Sequence, residues 1–185
     1  MKYKIYPDLL VLGKALGNGY PITSVLGKKK YLKKASKSFI SSTFWTENSG
    51  FSAALKTLEI INKKKIFNSI KNNGVKIKNI WRQKSIKYNI PITIYGLDSI
   101  PTFKFSVKNS LKYKTFFTQE MLKEGILATN TIYVSAVHTK KYINLYAKKI
   151  DEIFFKLQKC EQKELSINRI LKFKVASSDF NRLTS

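Results

Sequence analysis

PDLLVLGKALGNGYP, residues 7–21, sets one lysine, Lys14, between two apolar runs and beside a glycine-rich turn. Leu9 to Leu12 precede it and Ala15 and Leu16 follow, a short continuous apolar run that suits a buried strand. An ammonium in such a place is costly to desolvate. Three routes resolve that conflict: an ion pair, a depressed pKa that leaves the amine neutral, or consumption of the amine in a Schiff base. A fourth reading is a strand-edge lysine whose stem lies on apolar surface while its head reaches water. Gly13, Gly17 and Gly19 permit tight turns and close approach of backbone or a flat ligand, and Asn18 tolerates the same geometry.

The net charge is +24 over 185 residues. Such a charge directs attention to nucleic acid or an anionic membrane. Only Arg82, Arg169 and Arg182 are arginines, however, and the lysines are spread along the whole chain. Because arginine is the usual residue for bidentate phosphate and guanine contacts, the basic residues read as a solvated lysine surface, with nucleic acid and membrane both set aside. Hydrophobic residues at 43% and aromatics at 13% give enough apolar material for a core. The single Cys160 excludes an internal disulfide and fits a reducing, cytoplasmic setting. No apolar run approaches the ~20 residues that span a bilayer. The lone His138 has no second His or Cys for a metal site. It reads as a strand-end residue bonded to backbone, and neither a GxSxG elbow nor a P-loop is present.

From Lys14 outward, the pattern predicts a strand to Leu12, a glycine turn and a strand over Ile22 to Gly27. A short helical or irregular link follows over Tyr31 to Lys37, then a strand over Phe39 to Phe44. A helix starts near Asn48 or Ser49, both good N-caps, with Phe51, Ala54, Leu55, Leu58 and Ile61 on a buried face. Hydroxyls ahead of that N-terminus suggest either an anion site or plain capping. A second helix is predicted over Lys65 to Tyr88, with Gly74 as a weak point and Pro91 as its end. Strands over Ile92 to Leu97 and Pro101 to Val107, a helix from Ser110 to Glu124 stopped by Gly125, and a strand over Thr131 to Val137 come next. A helix over Thr139 to Lys159 carries Ile143, Tyr146, Ala147, Ile150, Ile153, Phe154 and Leu157 on one stripe. This half predicts an α+β layer with helices on a small antiparallel sheet. Residues 160–185 read as a docking tail.

The order of these segments resembles the C-terminal part of class III, pyridoxal-phosphate-dependent aminotransferases, the group that includes glutamate-1-semialdehyde aminomutase. PDLLVLGKALGNGYPITSVLG is similar to the family's cofactor-lysine segment, and SSTFWTENSGFSAALKTLE is similar to the segment that follows it. Further on, PTFKF, MLKEGI and VSAVHT resemble the family's C-terminal domain. The resemblance covers residues 5–159. It implies an α/β chain, a C-terminal fragment of the fold type I transferase fold. Residues 1–62 would end the large cofactor domain, 63–159 would form the α+β small domain, and 160–185 the tail. It implies pyridoxal 5'-phosphate as cofactor, Lys14 as the Schiff-base residue and general base and acid, and Thr43 as the residue that holds the cofactor phosphate across a dimer interface.

The implied activity is transfer of an amino group between a small-molecule amino donor and an aldehyde or ketone acceptor. Thirteen residues precede Lys14 here, whereas family members carry most of the large domain upstream. That domain holds the phosphate loop, the ring-stacking aromatic and the aspartate on the pyridine nitrogen. Asp8 lies on the wrong segment to replace the aspartate. The expectation is therefore a homodimer or a split enzyme completed by a partner carrying the N-terminal half. An aminomutase of the same family, and a non-catalytic dimerisation or polyanion-binding remnant, are the alternative readings.

Overall fold

The computed structural model describes residues 5–35, 37–41, 43, 45–64 and 66–177. The chain divides into two units, Met1–Ile66 and Phe67–Ser185.

In the first unit, β1 (Leu9–Leu12) and β2 (Ser24–Gly27) pair antiparallel, in the register Leu9↔Gly27 to Leu12↔Ser24. A single 3-10 turn, Lys14–Leu16, opens the connection between them. Helix α1 (Lys29–Ala35) follows directly, and α2 (Ser49–Lys64) closes the unit. The hairpin forms where two runs of β-branched and leucine residues flank a turn rich in glycine and asparagine. Neither strand is buried, so the buried-strand expectation for Leu9 to Leu12 is corrected: Leu9, Leu10 and Val11 are exposed, as are Val25 and Leu26. A strand apolar on both faces is one made to be covered on both faces, and the described residues of this unit supply no covering layer.

Two further expectations change for the same reason. Among the described residues, 37–41 and 43 form turns and irregular backbone in place of a strand, and Phe39 is 97% exposed. Residues 42 and 44 of that predicted strand lie outside the described residues. The helical spacing of α2 is correct, yet of its apolar stripe only Ala54 is buried, and Leu55 is 70% exposed.

The second unit holds the core. Helix α3 (Ile66–Tyr88) ends at Asn89, whose φ of 51° is the left-handed conformation that stops a helix, with the Ile90 amide donating to the Ser85 carbonyl at 3.0 Å. Strands β3 (Ile92–Tyr95) and β4 (Thr102–Phe105) pair antiparallel, in the register Ile92↔Phe105 to Tyr95↔Thr102. Alternation on β4 sends Phe103 and Phe105 into the core and Lys104 out. Helix α4 (Ser110–Lys123) is stopped by Gly125 at φ 69°, with the Ile126 amide donating to the Met121 carbonyl at 3.0 Å.

In place of the predicted strand over Thr131 to Val137 there is one isolated bridge, Thr102↔Thr131. Its flanks still hydrogen-bond to β4 and the loop before it, through Phe103 N to Asn130 O, Ile132 N to Pro101 O and Val134 N to Ser99 O. Helix α5 (Lys140–Glu161) buries Ile143, Tyr146, Ile150, Ile153, Phe154 and Leu157, the predicted stripe apart from the half-buried Ala147. Trp81 of α3, Phe103 and Phe105 of β4, Phe117 of α4 and Phe154 of α5 meet in one cluster of tilted and edge-on rings. A side chain buried in this way contributes about 1.5–3 kcal/mol. The tail docks on α4: α6 (Ile167–Ile170) buries Ile167, and the buried Gln119 amide bonds to Ile170 O at 3.0 Å and accepts from Lys172 N at 2.7 Å.

Candidate active site

Lys14 stands at the head of the β1–β2 hairpin. Its φ is 50°, a left-handed conformation that a residue with a Cβ enters only when the surrounding chain compels it. The compulsion is visible in the turn. Leu16 N donates to Gly13 O at 3.1 Å, Asn18 N to Lys14 O at 3.3 Å and Tyr20 N to Gly17 O at 3.2 Å. Further along the turn, after Gly17 at φ −85°, Asn18 at φ 47° and Gly19 at φ 113° also have positive φ. Gly17 is needed for closeness and not for its φ, because a Cβ there would meet the Tyr20 carbonyl oxygen at 2.2 Å.

The Lys14 side chain is exposed, and among the described residues its ammonium makes no hydrogen bond or ion pair. The strand ends at Leu12 and Lys14 opens the turn, as the sequence pattern predicted. Of the four routes open to it, pairing is not the one taken.

Thr43 lies in an exposed turn ahead of α2, between two residues outside the described set. The N-terminus of α2 is held by Glu47, a residue the sequence reading did not single out. Its carboxylate accepts from Ser49 N at 2.9 Å, Ser49 Oγ at 2.6 Å and Gly50 N at 3.3 Å. The Ser49 hydroxyl and amide hold the Glu47 carboxyl below the usual carboxylate range. Capping thus prevails over an anion site at this helix end, and an acidic side chain two residues before Ser49 was the available signal. The helix and the hairpin turn meet where Gly50 packs on Ile22, whose Cβ would lie 3.2 Å from a Cβ on Gly50.

Asp8 sits at the far end of the hairpin from Lys14. Its carboxylate pairs with Lys28 Nζ at 2.6 Å, and Lys28 N donates to Asp8 O at 3.0 Å. It is committed to closing the hairpin. His138 accepts from Ser135 N through Nδ1 at 3.3 Å, the backbone-bonded role expected of it.

These residues fit one side of a pyridoxal phosphate site. An uncommitted amine stands on a constrained turn, and a hydroxyl lies on the segment that leads into α2. Among the described residues of this unit, no uncommitted carboxylate stands near the lysine turn to take the pyridine nitrogen.

A sequence profile described as aminotransferase class-III matches residues 1–160. The chain belongs to the class III aminotransferase family. It is 31% identical over 118 residues to the 3-aminobutyryl-CoA aminotransferase of Cloacimonas acidaminovorans, a match covering 63% of this chain and 28% of that protein. It is 27% identical over 170 residues to a glutamate-1-semialdehyde 2,1-aminomutase of Saccharolobus islandicus, covering 84% of this chain and 40% of the relative.

Among solved structures, the pyridoxal-phosphate internal aldimine form of the FumI protein from Sphingopyxis sp. MTA144 superposes with a TM-score of 0.79 at 23% identity, over 90% of this chain and 41% of that one. The ornithine aminotransferase of Toxoplasma gondii gives 0.73 at 18% identity, over 88% and 39%. The fold is therefore the α/β fold type I of pyridoxal-phosphate-dependent transaminases, in part. The chain spans about 28–40% of the length of the curated relatives it matches. Among the described residues no helix is long and apolar enough to cross a membrane.

Proposed function

We propose that this chain carries the lysine side of the active site of a pyridoxal-phosphate-dependent transaminase, which moves an amino group between an amino acid and an aldehyde or ketone. Lys14 is the covalent anchor of the cofactor and Thr43 the ligand of its phosphate. A complementing polypeptide with the N-terminal half, or a partner copy, supplies the rest of the pocket in a cytoplasmic enzyme. The observation that carries this reading is Lys14 held at φ 50° on the glycine turn, with its ammonium uncommitted.

When bound, pyridoxal phosphate supplies the electron sink that makes the α-hydrogen of an amino substrate acidic. Lys14 Nζ is the base that takes that proton and the acid that returns it. The turn fixes where Nζ stands, and the Thr43 hydroxyl donates to the phosphate. The match over 84% of the chain supports a second reading, an aminomutase that moves the amino group within one molecule. That enzyme would need no separate amino acceptor.

The test is selectivity. With substoichiometric pyridoxal phosphate and borohydride, peptide mapping should place the label on Lys14 ahead of the other lysines in a chain of 35 basic side chains. Lys14→Ala should remove that peptide's label alone. Uniform labelling of surface lysines would overturn the assignment.

A further inference from the structure

Among the described residues of the first unit, burial is confined to Gly17, Gly50 and Ala54. Gly17 closes the lysine turn, Gly50 lies in the first turn of α2, and Ala54 follows Gly50 one helical turn later on the same face. One side chain packs against both glycines. A Cβ on Gly17 would stand 2.7 Å from Ile22 Cγ2, and a Cβ on Gly50 would stand 3.2 Å from Ile22 Cβ and 3.7 Å from Ile22 Cδ1. Ile22 therefore fills a slot between two segments distant in the chain, and each segment has a glycine where the slot is narrowest.

The slot suits isoleucine in particular. Branching at Cβ restricts χ1, so the Cγ2 methyl is held toward the lysine turn while the arm ending in Cδ1 is held toward α2. The main chain of Ile22 is fixed as well, because Pro21 precedes it and its amide donates to Tyr20 O at 2.9 Å. Tyr20 N in turn donates to Gly17 O at 3.2 Å, and Asn18 N to Lys14 O at 3.3 Å. A shift of Ile22 is thus passed to the main chain of Lys14 through bonded neighbours, and a shift of α2 is passed to Ile22 through Gly50.

We propose that Ile22 is a positioning residue for Lys14: its branched side chain keys the lysine turn to the start of α2 and so fixes the direction in which Nζ leaves the turn. This rests on the transaminase reading, in which the Lys14 amine must meet the cofactor's aldehyde carbon in one geometry. Ile22 acts through Gly17 and Gly50.

The whole chain and its Ile22→Val, Ile22→Leu and Ile22→Ala variants are labelled with substoichiometric pyridoxal phosphate and borohydride. In parallel they are labelled with a trace of acetic anhydride, which reads only how open and basic an amine is. Each Lys14 label is referred to the mean over the other lysines. The pyridoxal phosphate preference for Lys14 should fall roughly tenfold in Ile22→Ala, because misplacing a reacting group by a fraction of an ångström is costly, while acetylation of Lys14 stays unchanged. Ile22→Val keeps the methyl on Gly17 and should keep the preference. Ile22→Leu keeps the volume without that methyl and should lose it.

A side chain that served only as apolar filling would rank leucine at or above valine, and that order overturns the proposal. A preference that Ile22→Ala leaves intact overturns it too, as does a parallel fall in acetylation, since Ile22 would then act on the exposure of Lys14. Hydrogen exchange reads the same coupling without the cofactor. Ile22→Ala should speed exchange at the Asn18 and Gly50 amides together, and a rise at one of them alone also defeats the coupling. Selective labelling indifferent to Ile22 defeats this proposal alone; uniform labelling of all lysines with coupled Asn18 and Gly50 exchange defeats the transaminase reading alone.

Discussion

Gly74, in the middle of α3, lies against the main chain of Asp98 so closely that a Cβ on it would stand 1.6 Å from the Asp98 carbonyl oxygen. The contact brings the turn after β3 down onto the helix. Lys78, one turn further along α3, fastens it by donating to Gly96 O at 2.8 Å and Asp98 Oδ1 at 3.0 Å. Gly74→Ala would ordinarily favour a helix. Here it should destabilise the protein by about 3 kcal/mol or more, because backbone and not a flexible side chain must move. A urea midpoint equal to or above that of the unsubstituted chain would contradict the contact.

Gly74 also marks what the sequence could and could not disclose. Its position within a helical pattern was legible, and it read as a weak point because local propensity was the only physics available. The tertiary contact that requires it comes from a residue 24 positions away in the chain. The stripe on α5 and the alternation on β4 were readable because both elements pack within the same unit. Phe51, Leu55 and Leu58 have equally good spacing, yet they remain exposed because periodicity shows that a face is apolar and not what covers it. At the site, Lys14 and the turn glycines were legible from composition. So was the position of Lys14 beyond the strand, which was expected to end at Leu12; the exposure of that strand and the φ of 50° at Lys14 were not. Glu47 escaped notice because capping rules favour Ser, Thr, Asn and Asp at the cap itself.

Trp81 and Tyr146 offer a test of the core. The indole Nε1–H donates to the Tyr146 hydroxyl at 2.9 Å, and the tryptophan is 0% exposed. Burial pushes the Tyr146 phenol well above its usual pKa, so it stays neutral throughout the working range. Tyr146→Phe keeps the ring and leaves the buried indole N–H without a partner. The expected cost is about 1–3 kcal/mol in chemical denaturation. A cost near zero would mean that the indole finds another acceptor.

Glu120 ties α4 to α5. Its carboxylate takes hydrogen bonds from Lys123, from Lys156 at 2.6 Å and from Gln119 Nε2 at 3.1 Å. Burial alone would raise its pKa, but the bonds from Lys123 and Lys156 outweigh that and hold it at about 2, from an ordinary 4.5. A carboxyl depressed on folding stabilises the native state above its unfolded pKa, and that contribution is lost as pH falls through the folded one. Stability should therefore decline between about pH 4.5 and 2. Glu120→Gln should be less stable at neutral pH by about 1.5–3 kcal/mol, and its acid decline should be shallower. Parallel acid limbs for the two proteins, followed by urea midpoint against pH, would exclude Glu120 as the titrating group.

Glu47 gives the prediction closest to the candidate site. Two of its three acceptor contacts satisfy the Ser49 and Gly50 amides of the first turn of α2, which no intrahelical carbonyl can reach, and the third takes the Ser49 hydroxyl. Glu47→Ala should fray that turn and raise the hydrogen-exchange rates of the Ser49 and Gly50 amides, while the α5 amides keep theirs. Because the Ser49 contacts lower the Glu47 pKa, the protection in the unsubstituted chain is present above the usual carboxylate range and is lost as pH falls below it. Glu47→Gln keeps an acceptor oxygen without the charge, so it should restore part of the protection and none of its pH dependence. Since Gly50 packs on Ile22 beside the lysine turn, fraying at Gly50 should also lower the selectivity of Lys14 labelling by pyridoxal phosphate. Unchanged selectivity alongside faster Gly50 exchange would show that the turn holds Lys14 without help from α2.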